Sequence, residues 1–168
     1  MKQAVLVLAV SSVFLSACAT SPPPEPGASA PLQARSGSSV SGNVLLTQVG
    51  SKLRLDVTAS NVAPGEHGFH IHEAGDCSAP DAASAKGHYN PSGKRHGHHD
   101  KAERHAGDLR NLLADASGNV KYSAEVGGLT LAEVIGRSVV MHADPDDYVS
   151  QPAGNSGKRI ACGVITAR

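Results

Sequence analysis

Apolar and polar residues alternate one by one in two stretches of this chain, and that alternation restricts the fold more than any other feature. Leu53, Leu55, Val57 and Ala59 interleave with Lys52, Arg54, Asp56 and Thr58. Val120, Tyr122, Ala124 and Val126 interleave with Lys121, Ser123 and Glu125. A period of two buries one face and wets the other, which is the signature of a half-buried β-strand. Turn formers punctuate the runs: Gly50-Ser51, Pro64-Gly65, residues 115–119 and Gly127-Gly128. The pattern predicts an all-β domain with strands near 40–48, 53–60, 66–72, 108–113, 120–126, 137–142 and 162–166, and a weak first strand at 32–36. Residues 129–135 are expected to form a loop rather than a helical turn. Two long stretches, 73–106 and 143–159, carry no strand pattern. Long loops in a compact domain are usually functional or disordered. These two hold most of the chemistry-bearing residues and read as functional.

The N-terminus reads as a processing segment. Lys2 precedes a short apolar run, residues 4–15, too short to span a bilayer but suited to the apolar region of a signal peptide. Leu15-Ser16-Ala17-Cys18 follows, small residues before a cysteine, and resembles the lipobox of bacterial lipoproteins. This predicts a signal peptide over 1–17 and Cys18 as a lipidated first residue that ties the chain to a membrane. Residues 18–39 carry Pro22, Pro23, Pro24, Pro26 and Pro31 among Ser, Ala and Gly, and read as a semi-rigid tether. The folded domain is then residues 40–168, exported to the cell envelope or periplasm. Of the three cysteines, Cys77 and Cys162 lie inside it. Export would place them where disulfides persist. Lys plus Arg equals Asp plus Glu, 15 of each, and tryptophan is absent. A basic face or an aromatic stacking platform for nucleic acid is therefore not expected.

Nine histidines are a high count for such a chain. A single histidine is more often a packed or surface residue than a ligand, so spacing must carry the argument. His70 and His72 sit two apart on a strand pattern, which points both imidazoles to one side. His88, His96 and His105 follow within the first long loop, with Asp108 just after it, and His142 ends the run Ser138-Val139-Val140-Met141. Imidazole suits copper and zinc, and tetrahedral zinc also accepts a carboxylate.

In order along the chain, residues 68–73, His88 to Pro91, His96-Gly97, His105 to Asp108, and residues 157–165 resemble the motifs of the copper,zinc superoxide dismutases. The resemblance implies a Greek-key antiparallel β-sandwich or flattened barrel of about eight strands. It implies copper held by His70, His72, His88 and His142, and zinc held by His88, His96, His105 and Asp108, with His88 shared between the ions. It implies Asp146 as a hydrogen-bonding link between a copper ligand and a zinc ligand, Arg159 as the group that recognises the superoxide anion, and a Cys77–Cys162 disulfide. The implied reaction turns two superoxide anions into oxygen and hydrogen peroxide, with His88 taking and returning a proton. His67 is expected to be structural, and His98 and His99 match no ligand position. The stretch between His142 and Arg159 lacks the acid- and lysine-rich insertion of many animal members, which leaves Lys158, Lys94 or Arg95 to steer the anion. Ala74 stands where many eukaryotic members carry a dimer-forming aromatic residue, so both monomer and homodimer stay open. A lipoprotein that stores or delivers copper or zinc without catalysis is the alternative reading.

Overall fold

The computed structural model describes residues 27–168, which form a nearly closed antiparallel barrel. The strands are β1 (Gly27–Ala34), β2 (Ser41–Val49), β3 (Lys52–Ser60), β4 (Gly65–His67), β5 (Phe69–His72), β6 (Leu112–Ala114), β7 (Val120–Gly127), β8 (Ser138–His142), β9 (Arg159–Val164) and β10 (Thr166–Ala167). Their order across the sheet is β4-β6-β7-β3-β2-β1-β9-β8-β5, with β10 on β1. β4 and β5 stand at the two ends of that path, yet only Gly68 separates them in sequence. One kinked strand therefore pairs β6 with its first half and β8 with its second, and this closes the barrel. Counting β4 with β5 and β9 with β10 gives the expected eight strands. The chain leaves β3 for β4 past the positions that β6 and β7 fill later, a Greek-key connection.

The alternating residues face where the pattern put them. Leu46 stands opposite Leu55 and Val44 opposite Val57, all buried. Each such side chain contributes about 1.5–3 kcal/mol relative to exposure. Phe69, Ile71, Val139 and Met141 close the same core from β5 and β8.

β1 corrects the predicted tether boundary. The sequence pattern puts residues 27–34 in a proline-rich spacer, with a weak strand only from residue 32, but they pair along β2 from Gly27 to Leu32. On its other edge β1 pairs β10 through Ala28 and Ser29, then β9 through Gln33 and Ala34. Pro31 falls in the gap between those two pairings, where a residue without an N–H removes no ladder bond on that side. Ala28, Ala30 and Leu32 are buried. The predicted tether residues 18–26, the signal peptide and Cys18 lie outside the described residues.

Two smaller differences have local causes. Residues 131–134 form one helical turn, α1 (Leu131–Val134), instead of a loop. Thr130 Oγ1 accepts from the Glu133 N–H, and the Glu133 carboxylate accepts from the Thr130 N–H, a reciprocal cap. The strand expected at 108–113 shrinks to Leu112–Ala114 because Asp108 and Asn111 turn their polar groups to the site described below.

Cys77 and Cys162 are disulfide-bonded with Cα atoms 5.8 Å apart, across 85 residues of sequence. This ties the first long loop to β9. Closing a loop of that size contributes at most about 4–5 kcal/mol.

Because β1 is paired on both edges, a chain begun at residue 40 should lose the cooperative urea transition, whereas one begun at residue 27 should keep it. Equal midpoints for the two would remove β1 from the folding unit.

Candidate metal centre

β5 carries Phe69 and Ile71 to the core, so its alternate side chains, His70 and His72, point the other way. The free edge of β5 is covered by the first long loop. Ile71 N–H donates to Gly107 O, Tyr89 N–H donates to Ile71 O, and Glu73 N–H donates to Gly87 O. Gly107 is required here, since a Cβ would lie 2.2 Å from Ile71 O. This pairing carries His88 and Asp108 alongside His72 and His70. His142 arrives from the end of β8, where the register shifts between Met141 and His142. Such a bulge re-aims a side chain. His142 N–H donates to Gly68 O. His67 lies beneath, its Nδ1 2.8 Å from His142 O and its Nε2 2.7 Å from Ala63 O, a structural pin as expected.

Two groups of donor atoms converge. In the first, one ring nitrogen from each of His70, His72, His88 and His142 lies within 4.8 Å of the others. His70 Nδ1, His72 Nε2, His88 Nε2 and His142 Nε2 are buried without any hydrogen-bond partner. A buried polar atom left unsatisfied costs about 1–3 kcal/mol, so four together demand a partner. The opposite nitrogens are committed. His72 Nδ1–H donates to Lys86 O at 2.9 Å, His142 Nδ1–H faces Gly157 O at 3.4 Å, and His70 Nε2–H donates to Asp146 at 2.8 Å. These contacts fix each tautomer and leave the lone pair of the other nitrogen aimed inward.

The second group is His88, His96, His105 and Asp108. His88 Nδ1 lies 2.8 Å from Asp108 Oδ1, His96 Nδ1 3.1 Å from it and His105 Nδ1 3.2 Å from it. His105 Nδ1 lies 3.4 Å from His88 Nδ1. Four zinc ligands about 2.0 Å from a shared centre stand about 3.3 Å apart in a tetrahedron, so these separations fit that metal. Asp108 Oδ2 is turned away and accepts the N–H groups of Gly97 and His105.

Asp146 joins the groups. Its Oδ2 accepts from His70 Nε2–H and its Oδ1 from His96 Nε2–H at 2.9 Å. Burial opposes its ionisation, but the bonds from His70, His96 and the Tyr148 N–H outweigh that and hold the carboxyl well below the usual range. Asp108 follows the same balance, with His88 and His96 as the outweighing donors. For His70, burial dominates over the Asp146 bond and lowers the imidazole to about 4. Burial, followed by neighbouring imidazoles, puts His72 and His142 well below the ordinary value. For His96, burial is outweighed by its two carboxylate partners, which raise it to about 9.

A family profile described as copper/zinc superoxide dismutase matches residues 40–165. Superoxide dismutase [Cu-Zn] 1 of Aquifex aeolicus is 44% identical over 133 residues, covering 74% of this chain and 79% of that protein. Superoxide dismutase [Cu-Zn] of Paramecium bursaria Chlorella virus 1 is 43% identical over 136 residues, 75% of this chain and 72% of that protein. The chain belongs to the copper/zinc superoxide dismutase family. Extracellular superoxide dismutase [Cu-Zn] of Caenorhabditis elegans is also similar, at 43% over 133 residues, 74% of this chain and 60% of that protein.

The resemblance to the copper/zinc superoxide dismutases singles out Arg159, and this residue shares a cleft with His142 of the first donor group. It lines a cleft of about 220 Å³ with His142, Gln151 and Gly157. Its guanidinium is held by Ala82 O and Lys86 O, both at 2.7 Å. Ala82 and Lys86 both have positive φ, 57° and 62°, which turns their carbonyls to this task. The disulfide at Cys77 anchors the same loop. His98, His99 and Asp100 form a third, more exposed cluster. There Arg110 Nε–H donates to His99 Nε2 at 3.2 Å, and a guanidinium at that distance stands against a second cation.

Sequence reasoning missed Asn111, Tyr148 and Gln151. Asn111 exchanges bonds with the backbone of Asp146, its Nδ2–H donating to Asp146 O and its Oδ1 accepting Asp146 N–H, both 3.0 Å. The Tyr148 hydroxyl accepts Asn111 N–H at 2.8 Å. A buried asparagine inside a strand-like run was the only available signal.

The metal-free protein should be most stable near pH 6.5. His70, His72, His105 and His142 all lie below the ordinary imidazole value, so the unfolded chain binds more protons as pH falls below about 6.5, and stability drops. His96 contributes fully below about 6.5, and that contribution is lost as pH rises through about 9. The acid side should be steeper, with four imidazoles acting against one. Urea midpoints of the metal-free protein across this range check it, and a profile rising steadily with pH would contradict it.

Proposed function

We propose that His70, His72, His88 and His142 hold copper, that His88, His96, His105 and Asp108 hold zinc, and that the chain converts two superoxide anions and two protons to oxygen and hydrogen peroxide. The observation that carries this reading is His88: one of its ring nitrogens belongs to each donor group. Copper, when bound, supplies the one-electron couple. The carboxylate-containing group has the composition and spacing of a tetrahedral zinc site.

The chain's own groups then have distinct tasks. Arg159 attracts the anion and orients it towards the first donor group. Its side chain is held to backbone carbonyls, so it does not have to be ordered on each encounter. His88 Nε2 faces the copper side and is the nitrogen placed to take a proton there and return it to product. Asp146 fixes the rings of His70 and His96. Storage or delivery would need neither Arg159 in the cleft nor one imidazole shared between two metals.

The reading extends to location. Residues 1–17 serve as a signal peptide and Cys18 as a lipid anchor, which would put the domain in the cell envelope, where the Cys77–Cys162 bond is stable. Cys18→Ser should move the protein from the membrane fraction to the soluble fraction on extraction, and unchanged partitioning would remove the anchor from the proposal.

Arg159 gives the sharpest test. With its charge about 5 Å from the anion and an effective dielectric between water and protein surface, Coulomb's law gives about 0.8–3 kcal/mol, or roughly 4- to 200-fold in rate. Arg159→Ile should lose activity within that window and show a weaker salt dependence, and Arg159→Glu should be worse. Superoxide decay by pulse radiolysis measures this, with about one copper and one zinc per chain expected in every sample from the donor sets. Full activity in metal-loaded Arg159→Glu would refute the role.

A further inference from the structure

The ligand-type residues are not held equally well by the fold. His70 and His72 lie within β5, His142 ends β8, and His88 bridges to His72. His105 and Asp108 hold each other in a tight turn, Asp108 N–H donating to His105 O and His105 N–H to the Asp108 carboxylate. His96 has neither support. It lies in a stretch without regular structure, preceded by exposed residues 91–95.

Its backbone is gripped instead by one side chain from the second long loop. Gln151 Oε1 accepts His96 N–H at 2.9 Å, and Gln151 Nε2–H donates to His96 O at 2.9 Å. The amide mimics a strand partner, satisfying the donor and the acceptor of one residue together. The second Nε2–H donates to Val149 O at 3.1 Å, which keeps the Gln151 side chain in place. The same loop holds the ring of His96 through Asp146. It also presses Gly154 against that bond. Gly154 has φ +65°, and a Cβ there would fall 1.8 Å from Asp146 Oδ1 and 2.8 Å from His96 Nε2.

We infer that Gln151 is a positioning residue for the zinc site: it sets the backbone of His96, so that the loop lining the copper cleft also determines how tightly zinc is held. This rests on the reading of His96 as a zinc ligand. Gln151 lies at the rim of the Arg159 cleft and meets the donor groups only through the backbone of His96, so its effect should appear in zinc binding.

The test uses the full-length, metal-loaded protein. Zinc is followed by transfer to a chromogenic chelator, and the ligand field by the visible spectrum after cobalt(II) replaces zinc. Gln151→Ala should hold zinc about 10–100-fold more weakly, as loss of an outer hydrogen-bonding partner typically does, and should alter the cobalt spectrum. Its metal-free melting temperature should stay at the parent value. Gln151→Glu keeps the acceptor for His96 N–H but loses both donated bonds, and should fall between. Zinc retention in Gln151→Ala within about twofold of the parent would overturn the role, because the usual effect of such a loss is far larger. A matching fall in the metal-free melting temperature would also overturn it, by making Gln151 merely structural. His96→Gln separates the two readings. If it loses zinc while Gln151→Ala does not, only the role of Gln151 fails. If it keeps zinc at parental affinity, the ligand assignment fails and the inference falls with it.

Discussion

An imidazole has two nitrogens, and the site depends on dividing them. His70, His72 and His142 each give one nitrogen to a protein acceptor and leave the other bare and buried. Which nitrogen is given differs: His70 gives Nε2, whereas His72 and His142 give Nδ1. The acceptors are two backbone carbonyls and one carboxylate, all fixed by the fold. The rings are therefore set for metal before any metal arrives. His88 is the exception, since it offers both nitrogens to the donor groups and neither to an outer acceptor.

Electrostatics follow from this division. Burial keeps the cluster around His70, His72 and His142 neutral at physiological pH, which is the protonation state a metal ion needs. The two buried carboxylates lie at and beside the other group, and both stay ionised because imidazole and backbone donors face them. Negative charge thus gathers on the His96 side. A dication is favoured there, while the open side keeps the positive Arg159.

Much of this was legible in the sequence. Period two gave the faces of β3 and β7, and the paired spacing of His70 and His72 placed both rings on one side of β5. The family resemblance named eight residues that the structure brings together, the seven of the two donor groups and Asp146, which bonds His70 and His96, and it named the disulfide. What was not legible depended on partners far away in the chain. β1 looked like a spacer because prolines dominate its neighbourhood, and only the gap between its two pairings explains how Pro31 fits. The helical turn at Leu131–Val134 came from a capping exchange between Thr130 and Glu133, against a background that favoured a loop. Asn111 and Gln151 act through amides whose targets are backbone atoms 35 and 55 residues away. No spacing rule identifies such pairs.

One carbonyl has a double duty. Lys86 O accepts both His72 Nδ1–H and the Arg159 guanidinium. The loop between the disulfide and His88 must therefore deliver that atom to two places at once, with Lys86 in a backbone conformation few side chains adopt. Adding or removing a residue between Ala82 and Lys86 would misplace the His72 ring and the Arg159 guanidinium together. A change of length should cost far less in a turn such as the exposed hairpin at Gly50-Ser51, where no such shared atom sits.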